Sequence, residues 1–221
     1  MIFTELNASG YEYKSIFFNA EFEHILSKII ACYNLMKTDN VDLKNDENKI
    51  RDVIYLDYLN NNAVRGKIGL KDYYFDREIQ EDRANGRTDI RVISLNSFED
   101  TSAYYTIECK RIDSINNSGV NGLNAKYIQN GIYRFVSNTY STHYKTSGMI
   151  GFVIDGLDIH KNINAINSLL IGPFAQTNTI KILNNRTIVE GFEYSYYSKH
   201  NKNNEEIIIY HLMFDFAKNI Q

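Results

Sequence analysis

The chain has 221 residues, 43% hydrophobic and 23% charged, with 24 Lys and Arg against 27 Asp and Glu for a formal net charge of −3. That length supports one sizeable core. The two cysteines exclude a disulfide framework or a thiolate metal site, and the charge excludes bulk electrostatics as the means of gripping nucleic acid, leaving room for a local basic groove. The N-terminus has no basic segment followed by an apolar run, and no stretch reaches the ~20 apolar residues that cross a bilayer, so a cytoplasmic location is expected.

In chain order, residues 1–17 read as irregular, with at most a short strand. Apolar side chains then recur at helical spacing (Phe22, Ile25, Leu26, Ile29, Ile30, Tyr33), which predicts an amphipathic helix over 19–36. A polar linker over 38–45 leads to a second helix over about 46–61, with Ile50, Val53, Ile54 and Asp57 as one stripe. Glu47 lies at the edge of that core-facing stripe. A first-turn acid is also what the helix dipole favours, so the position alone has two explanations.

Asn60-Asn61-Asn62 ends this helix, and 73–80 reads as a first strand. A hairpin follows over 86–111: Gly-Arg-Thr-Asp-Ile-Arg-Val, a polar turn over 96–102, then Tyr-Tyr-Thr-Ile-Glu-Cys-Lys-Arg. The period of two puts Glu108 and Lys110 on one face, and Ile107 and Cys109 on the other. Asp89 heads the neighbouring strand. A short hairpin brings its carboxylate towards Glu108, and two close carboxylates repel unless a cation lies between them.

Residues 112–124 read as a polar, Gly- and Asn-rich loop, expected to be mobile. A helix over about 125–140 carries Tyr127, Ile128, Ile132, Phe135 and Val136; a buried strand spans 147–155; and an amphipathic helix over 158–171 stops at Gly172-Pro173. Two strands, 187–198 and 205–216, are joined by a charged turn over 199–204. The order α-α-β-β-β-α-β-α-β-β shows no repeat, low-complexity tract or linker, so one domain is expected over 1–221.

A bare Asp…Glu-x-Lys spacing arises by chance in many chains. The order of elements around it carries more weight. A helix, an antiparallel three-strand run, a helix and a strand resemble the α-β-β-β-α-β core of the PD-(D/E)XK nuclease superfamily. The resemblance rests on Thr88-Asp89 where the family has Pro-Asp, on Glu108-Cys109-Lys110, and on a Gln129…Tyr133 spacing similar to the RecB-like branch; it covers about 47–155. It implies an α/β (α+β), restriction endonuclease-like fold, with a mixed central sheet flanked by helices and a core over about 46–155. The helix over 19–36 and the hairpin over 187–216 are then additions to that core.

The resemblance also implies a Mg²⁺- or Mn²⁺-dependent deoxyribonuclease, acting in restriction, phage defence or repair, with DNA as substrate and RNA left open. Asp89, Glu108 and the backbone carbonyl of Cys109 would ligate the ion, and Glu47 would complete the shell, hard oxygens suiting these ions. Lys110 would orient or deprotonate the attacking water. Gln129 and Tyr133, one helical turn apart, would position water or phosphate, or would pack the helix. Arg87, Arg111, Lys126, Arg134 and Lys145 offer phosphate contacts, although each alone reads equally as a solvated surface residue. The Cys109 thiol reads as core filling and His143 as exposed. Tyr194, Tyr196 and Tyr197 would stack on bases or pack in a half-buried strand.

Two further readings stand beside this one. A catalytically silent module of the same fold would bind nucleic acid or a protein partner without cutting. The absence of a zinc-finger, helix-turn-helix or ATPase motif predicts a helicase or sequence-reading partner, or a homodimer formed through the C-terminal hairpin.

Overall fold

The computed structural model describes residues 14–80, 87–94, 103–137 and 139–221. Expectations for 1–13, for Gly86 and for the turn over 96–102 lie outside the described residues. Helix α1 (Lys14–Thr38) is longer than its periodic stretch, so 14–17 are helical rather than irregular. Its stripe Phe22, Ile25, Leu26, Ile29, Ile30 and Met36 is buried against one face of the sheet. Each such side chain contributes about 1.5–3 kcal/mol on full burial.

The segment over 38–45 is not a polar linker throughout. Leu43 is buried and pairs with Ile220 in an isolated bridge. Helix α2 (Glu47–Val53) starts on Asp46, whose carboxylate accepts from the Lys49 amide at 3.0 Å. It continues into a π-turn over Ile54–Leu59. The wider turn inserts a residue into the stripe, so Tyr58 and Leu59 continue the buried face and Asp57 faces solvent. The Asn triplet ends one helix and begins another, α3 (Asn62–Ile68), with the Asn61 side chain as its cap.

Seven strands form one mixed sheet in the order β1-β2-β3-β4-β7-β6-β5. They are β1 (Tyr73–Gln80), β2 (Arg87–Ser94), β3 (Tyr105–Ile112), β4 (Thr146–Val153), β5 (Thr179–Asn185), β6 (Ser195–Lys202) and β7 (Glu205–Asp215). β1, β2 and β3 form an antiparallel meander, β4 lies parallel to β3, and β7 lies parallel to β4. Between β3 and β4 the chain crosses over through α4 (Leu123–Tyr127), a π-turn (Ile128–Ile132) and α5 (Tyr133–Val136). Helix α6 (Ile159–Ile171) is capped by Asp158 and follows β4. One core layer joins α1 and α2 to the sheet; the other joins α4, α5 and α6 to its opposite face.

Several sequence expectations are corrected. Strand β5 was not expected; its polar, Asn-containing sequence pairs only on one side, with β6. The 187–198 strand begins only at Ser195, and Lys199–Lys202 belong to the strand rather than to a turn. The turn itself is Asn203-Asn204, both with positive φ (53° and 66°), the backbone a two-residue hairpin requires. The C-terminal hairpin is no appendage, because β7 sits between β4 and β6 inside the sheet and has no free edge for self-association. The 112–124 loop is tied down: Asp155 accepts from the Ser114 amide (2.9 Å) and hydroxyl (2.6 Å), and the Asn124 amide donates to Asn117 O (2.7 Å). Among the described residues, no helix is long and apolar enough to cross a membrane.

A buried hydrogen-bond chain ties α4 to β6, β7 and the turn before β5. Tyr127 and His211 Nδ1 are 2.8 Å apart, as are His211 Nε2 and Ser198 Oγ, and Ser198 Oγ and His200 Nε2; His200 Nδ1 meets Thr177 O at 3.0 Å. A carbonyl only accepts, so His200 carries its proton on Nδ1. Ser198 must then donate to His200 Nε2, and His211 donates from Nε2 and accepts from Tyr127. Burial lowers His200 to about 4, and burial with the neighbouring His200 pulls His211 well below its usual value. The unfolded chain therefore takes up protons more readily below pH ~6.5, and these two residues' contribution to stability is lost as pH falls from there towards 4. Nitrogen NMR at pH 7 should find neutral imidazoles with the Nδ1–H tautomer at His200 and Nε2–H at His211. Ser198→Ala orphans a buried donor and a buried acceptor, and its urea midpoint should report a loss of about 2–4 kcal/mol.

Candidate functional site

The β2–β3 ladder stops early. Its pairs are Val92–Tyr105, Arg91–Thr106 and Ile90–Ile107, and the next step would set Asp89 opposite Glu108. β3 itself continues, paired with β4 from Ile107 to Ile112. Its far edge is therefore open beyond Ile107, and buried amides there need other partners. Two carboxylates supply them: Asp89 Oδ2 accepts from the Cys109 amide at 2.8 Å, and Glu47 Oε2 from the Arg111 amide at 3.0 Å. Glu47 reaches this edge from the first turn of α2.

Lys110 rises from the same strand, and its ammonium stands between these acids. It donates to Glu47 Oε1 at 3.0 Å and to Cys109 O at 2.7 Å, and pairs with Glu108 Oε1 at 2.7 Å. Three N–H groups thus meet three oxygens. Asp89 Oδ2 is a fourth, at 3.8 Å. Burial alone would lower the Lys110 pKa, but the charges of Glu108, Asp89 and Glu47 outweigh it and hold the amine firmly protonated.

Glu108 is the deepest acid, 1% exposed. Tyr140 donates to its Oε2 at 2.7 Å, Arg134 to its Oε1 at 3.1 Å, and Arg134 also to the Tyr140 oxygen at 2.7 Å. Burial and the nearby charge of Asp89 push its carboxyl up to about 7, against the pull of Lys110 and Tyr140. Asp89 is held from behind by Arg51, a buried guanidinium that donates to Asp89 (2.9 Å), Asp52 (2.9 Å) and Glu78 (3.0 Å). Burial works against the charge of Arg51, and its bonds to Asp52 and Asp89 more than restore it.

A cavity of 390 Å³ opens over this cluster. Glu47, Asp89, Glu108 and Lys110 line it together with Asp46 and Asn48, and Arg111, Lys126, Asn130 and Arg134 complete its wall. Arg111 is tied to the loop before α2 through Asn45 O (3.0 Å) and Oδ1 (2.7 Å).

No family model matches the chain, and no curated protein or solved structure matches it either.

The structure therefore brings Glu47, Asp89, Glu108, Lys110 and the Cys109 carbonyl together, with Arg111, Lys126 and Arg134 beside them. The Cys109 side chain is buried on the opposite face, in the core with α1, as its alternation predicts. Gln129 and Tyr133 are exposed and do not line the cavity. Asn130, one residue beyond Gln129, lines it instead, beside the expected Lys126 and Arg134. Arg87 is exposed, 3.9 Å from Glu78, and Lys145 pairs with Glu205; neither joins the cluster. His143 is exposed, as expected, and packs edge-on against Tyr104. Tyr196 is buried against His160, and Tyr197 meets Lys181, so both pack.

Arg51 and Tyr140 were missed by sequence reasoning. Arg51 carried a legible signal, a charge lodged between Ile50 and Ile54 of a buried stripe. Tyr140 carried none.

Oxygen chemistry fits a hard divalent ion: three carboxylates and one carbonyl converge on a single cationic group. Among the described residues, however, no group of three or more His, Cys, Asp or Glu side chains forms a ready ion cage. The oxygens close on the Lys110 ammonium instead. Removing the buried Arg51 would empty its place in the core and leave the half-buried Asp89 without its counter-charge, so Arg51→Ala should lose about 1–3 kcal/mol in urea denaturation. Arg51→Lys should recover only part of that, because a lysine has no planar fork to serve three carboxylates.

Proposed function

We propose that the chain is a divalent-metal-dependent nuclease that hydrolyses phosphodiester bonds in DNA, and that its core is of the restriction endonuclease-like type. The reading is carried by one observation: Glu47, Asp89, Glu108 and the Cys109 carbonyl gather around one cation at the floor of a cavity walled by Arg111, Lys126 and Arg134. The order of elements supports it as well, with an antiparallel β1-β2-β3 meander, a helical crossover and a parallel β4.

Phosphodiester hydrolysis needs an activated water and relief of charge on the phosphate and the leaving oxygen. A Mg²⁺ or Mn²⁺ ion held by the four oxygens would supply Lewis acidity and a more acidic water. The chain's own groups do the remaining work. Arg134 and Lys126 meet backbone phosphate, Arg111 fixes the wall through Asn45, and Lys110, held protonated, offsets phosphate charge and orients water. Arg51 holds the Asp89 carboxylate in place. Tyr140 and Arg134 fix the rotamer of Glu108.

A specific observation also favours the second reading, a module that binds nucleic acid without cutting: Lys110 already saturates the oxygen cluster. Calorimetry decides between them, because a chain that takes up no Mg²⁺ or Mn²⁺ at millimolar concentration belongs to the binding class.

With plasmid, linear duplex, single-stranded DNA and RNA as substrates, Mn²⁺-dependent cleavage should appear on DNA. It should fall by roughly 100-fold or more in Asp89→Asn and Lys110→Ala. Cleavage that survives both substitutions would remove the assignment. Protons compete with the ion for Glu108, so Mn²⁺ affinity measured by calorimetry should weaken as pH falls through about 7.

A further inference from the structure

Every N–H of the Lys110 ammonium is committed, to Glu47 Oε1, Cys109 O and Glu108 Oε1. These are the same oxygens that the proposed function assigns to a divalent ion, and two cations cannot occupy one set of three acceptors. Lys110 is also withdrawn from solvent, 8% exposed as a residue. As it stands it is aimed at protein oxygens and not at a phosphate in the cavity. If Lys110 acts on water or phosphate, it must first leave this position.

The surroundings allow it to leave. The π-turn of the crossover helix sets Gly131 over the lysine stem, where a Cβ would come 3.8 Å from Lys110 Cγ and 2.3 Å from Met149 Cε. The Met149 side chain fills the place a Gly131 Cβ would take, so the stem is packed on its helix side, and the room for the ammonium is the cavity that Lys110 itself lines. Glu47, one of the three acceptors, stands in the first turn of α2 and is partly exposed, so that bond is the most accessible to exchange.

We propose that Lys110 is an exchangeable internal counter-ion: its ammonium holds the oxygen cluster assembled until a divalent cation displaces it into the cavity, where it becomes available to phosphate. The inference rests on the metal-dependent reading and adds an order to it. Ion uptake and release of Lys110 are one event, so the amine is withheld from substrate while no ion is bound. The carboxylates, meanwhile, never face one another without a positive charge between them, which would be costly in a buried site.

The test is calorimetric titration of Mn²⁺, Mg²⁺ and Ca²⁺ into the wild type, Lys110→Met and Lys126→Met. It is paired with residue-resolved amine labelling of the wild type, read by mass spectrometry, with and without Ca²⁺. Lys126→Met removes a cavity charge that has no bond to the cluster, and so controls for electrostatics alone. Exchange predicts that Lys110→Met binds each ion at least about tenfold more tightly than Lys126→Met, the scale of a typical coupling between two ligands. It also predicts that the Lys110 amine, protected in the ion-free protein, becomes reactive when Ca²⁺ is added. Ion binding that is equal in the two variants, together with unchanged labelling of Lys110, overturns the exchange and leaves the metal-dependent reading in place. No ion uptake by any of the three proteins overturns both. Should Lys110→Met fail to fold, the labelling of the wild type decides alone.

Discussion

The site exists because β2 and β3 part company after Ile90 and Ile107. A strand buried on both faces and continued on one side by β4 cannot leave amides unpaired on the other, since each would cost about 1–3 kcal/mol. The chain fills the gap with side chains instead of a strand. Asp89 takes the Cys109 amide and Glu47 the Arg111 amide, while the Cys109 carbonyl takes the lysine. Two acids are thereby fixed by backbone geometry more firmly than surface rotamers would be, and the open ladder becomes the floor of a cavity.

Fixing acids in a buried place creates an electrostatic demand. Glu47, Asp89 and Glu108 face one another, and Asp52 and Glu78 stand close behind. Lys110 answers them in front, Arg51 behind Asp89 and Arg134 beside Glu108, while Arg77 also pairs with Asp52 and Arg87 lies 3.9 Å from Glu78. Arg51 has the heaviest duty, because the unpaired step of the β1–β2 ladder sets Glu78 opposite Asp89 and both reach for the same guanidinium. Glu78 adopts a φ of 51°, a left-handed backbone that few non-glycine residues take, and its carboxylate meets Arg51. The positioning of one catalytic candidate thus extends across two strands and a helix.

Period-two reasoning on β3 was sufficient to place Glu108 and Lys110 together and Cys109 behind them, and hairpin pairing placed Asp89. Glu47 was legible from its place in a first helical turn. One failure has a local cause. The helix after α2 contains a π-turn, and a rule of 3.6 residues per turn slips across it, which set Asp57 on the buried stripe in place of Tyr58. Gln129 and Tyr133 rested on the resemblance instead and lie outside the cavity, whereas Arg134, expected as a phosphate contact, lines it. The missed strand β5, the late start of β6 and the place of β7 inside the sheet have another reason. Which edge of β4 receives β7 depends on contacts between segments far apart in sequence, and no local pattern records it.

The cluster is also difficult to explain as a device for stability. Well-packed apolar side chains in the place of a buried ion network are commonly neutral or stabilising by 1–4 kcal/mol. Here the sheet is interrupted, and Glu108 is raised to about 7 by burial and a like charge. A strand that only had to pack could have continued its ladder with Val or Ile. Strained and perturbed groups that line a cavity are the usual mark of chemistry rather than of architecture. The lysine sharpens the point, since its ammonium meets oxygens of Glu47, Cys109 and Glu108 and lies at the floor of the cavity. An arrangement that costs stability and gathers hard oxygen donors around one ammonium is what the proposed metal-dependent reading requires.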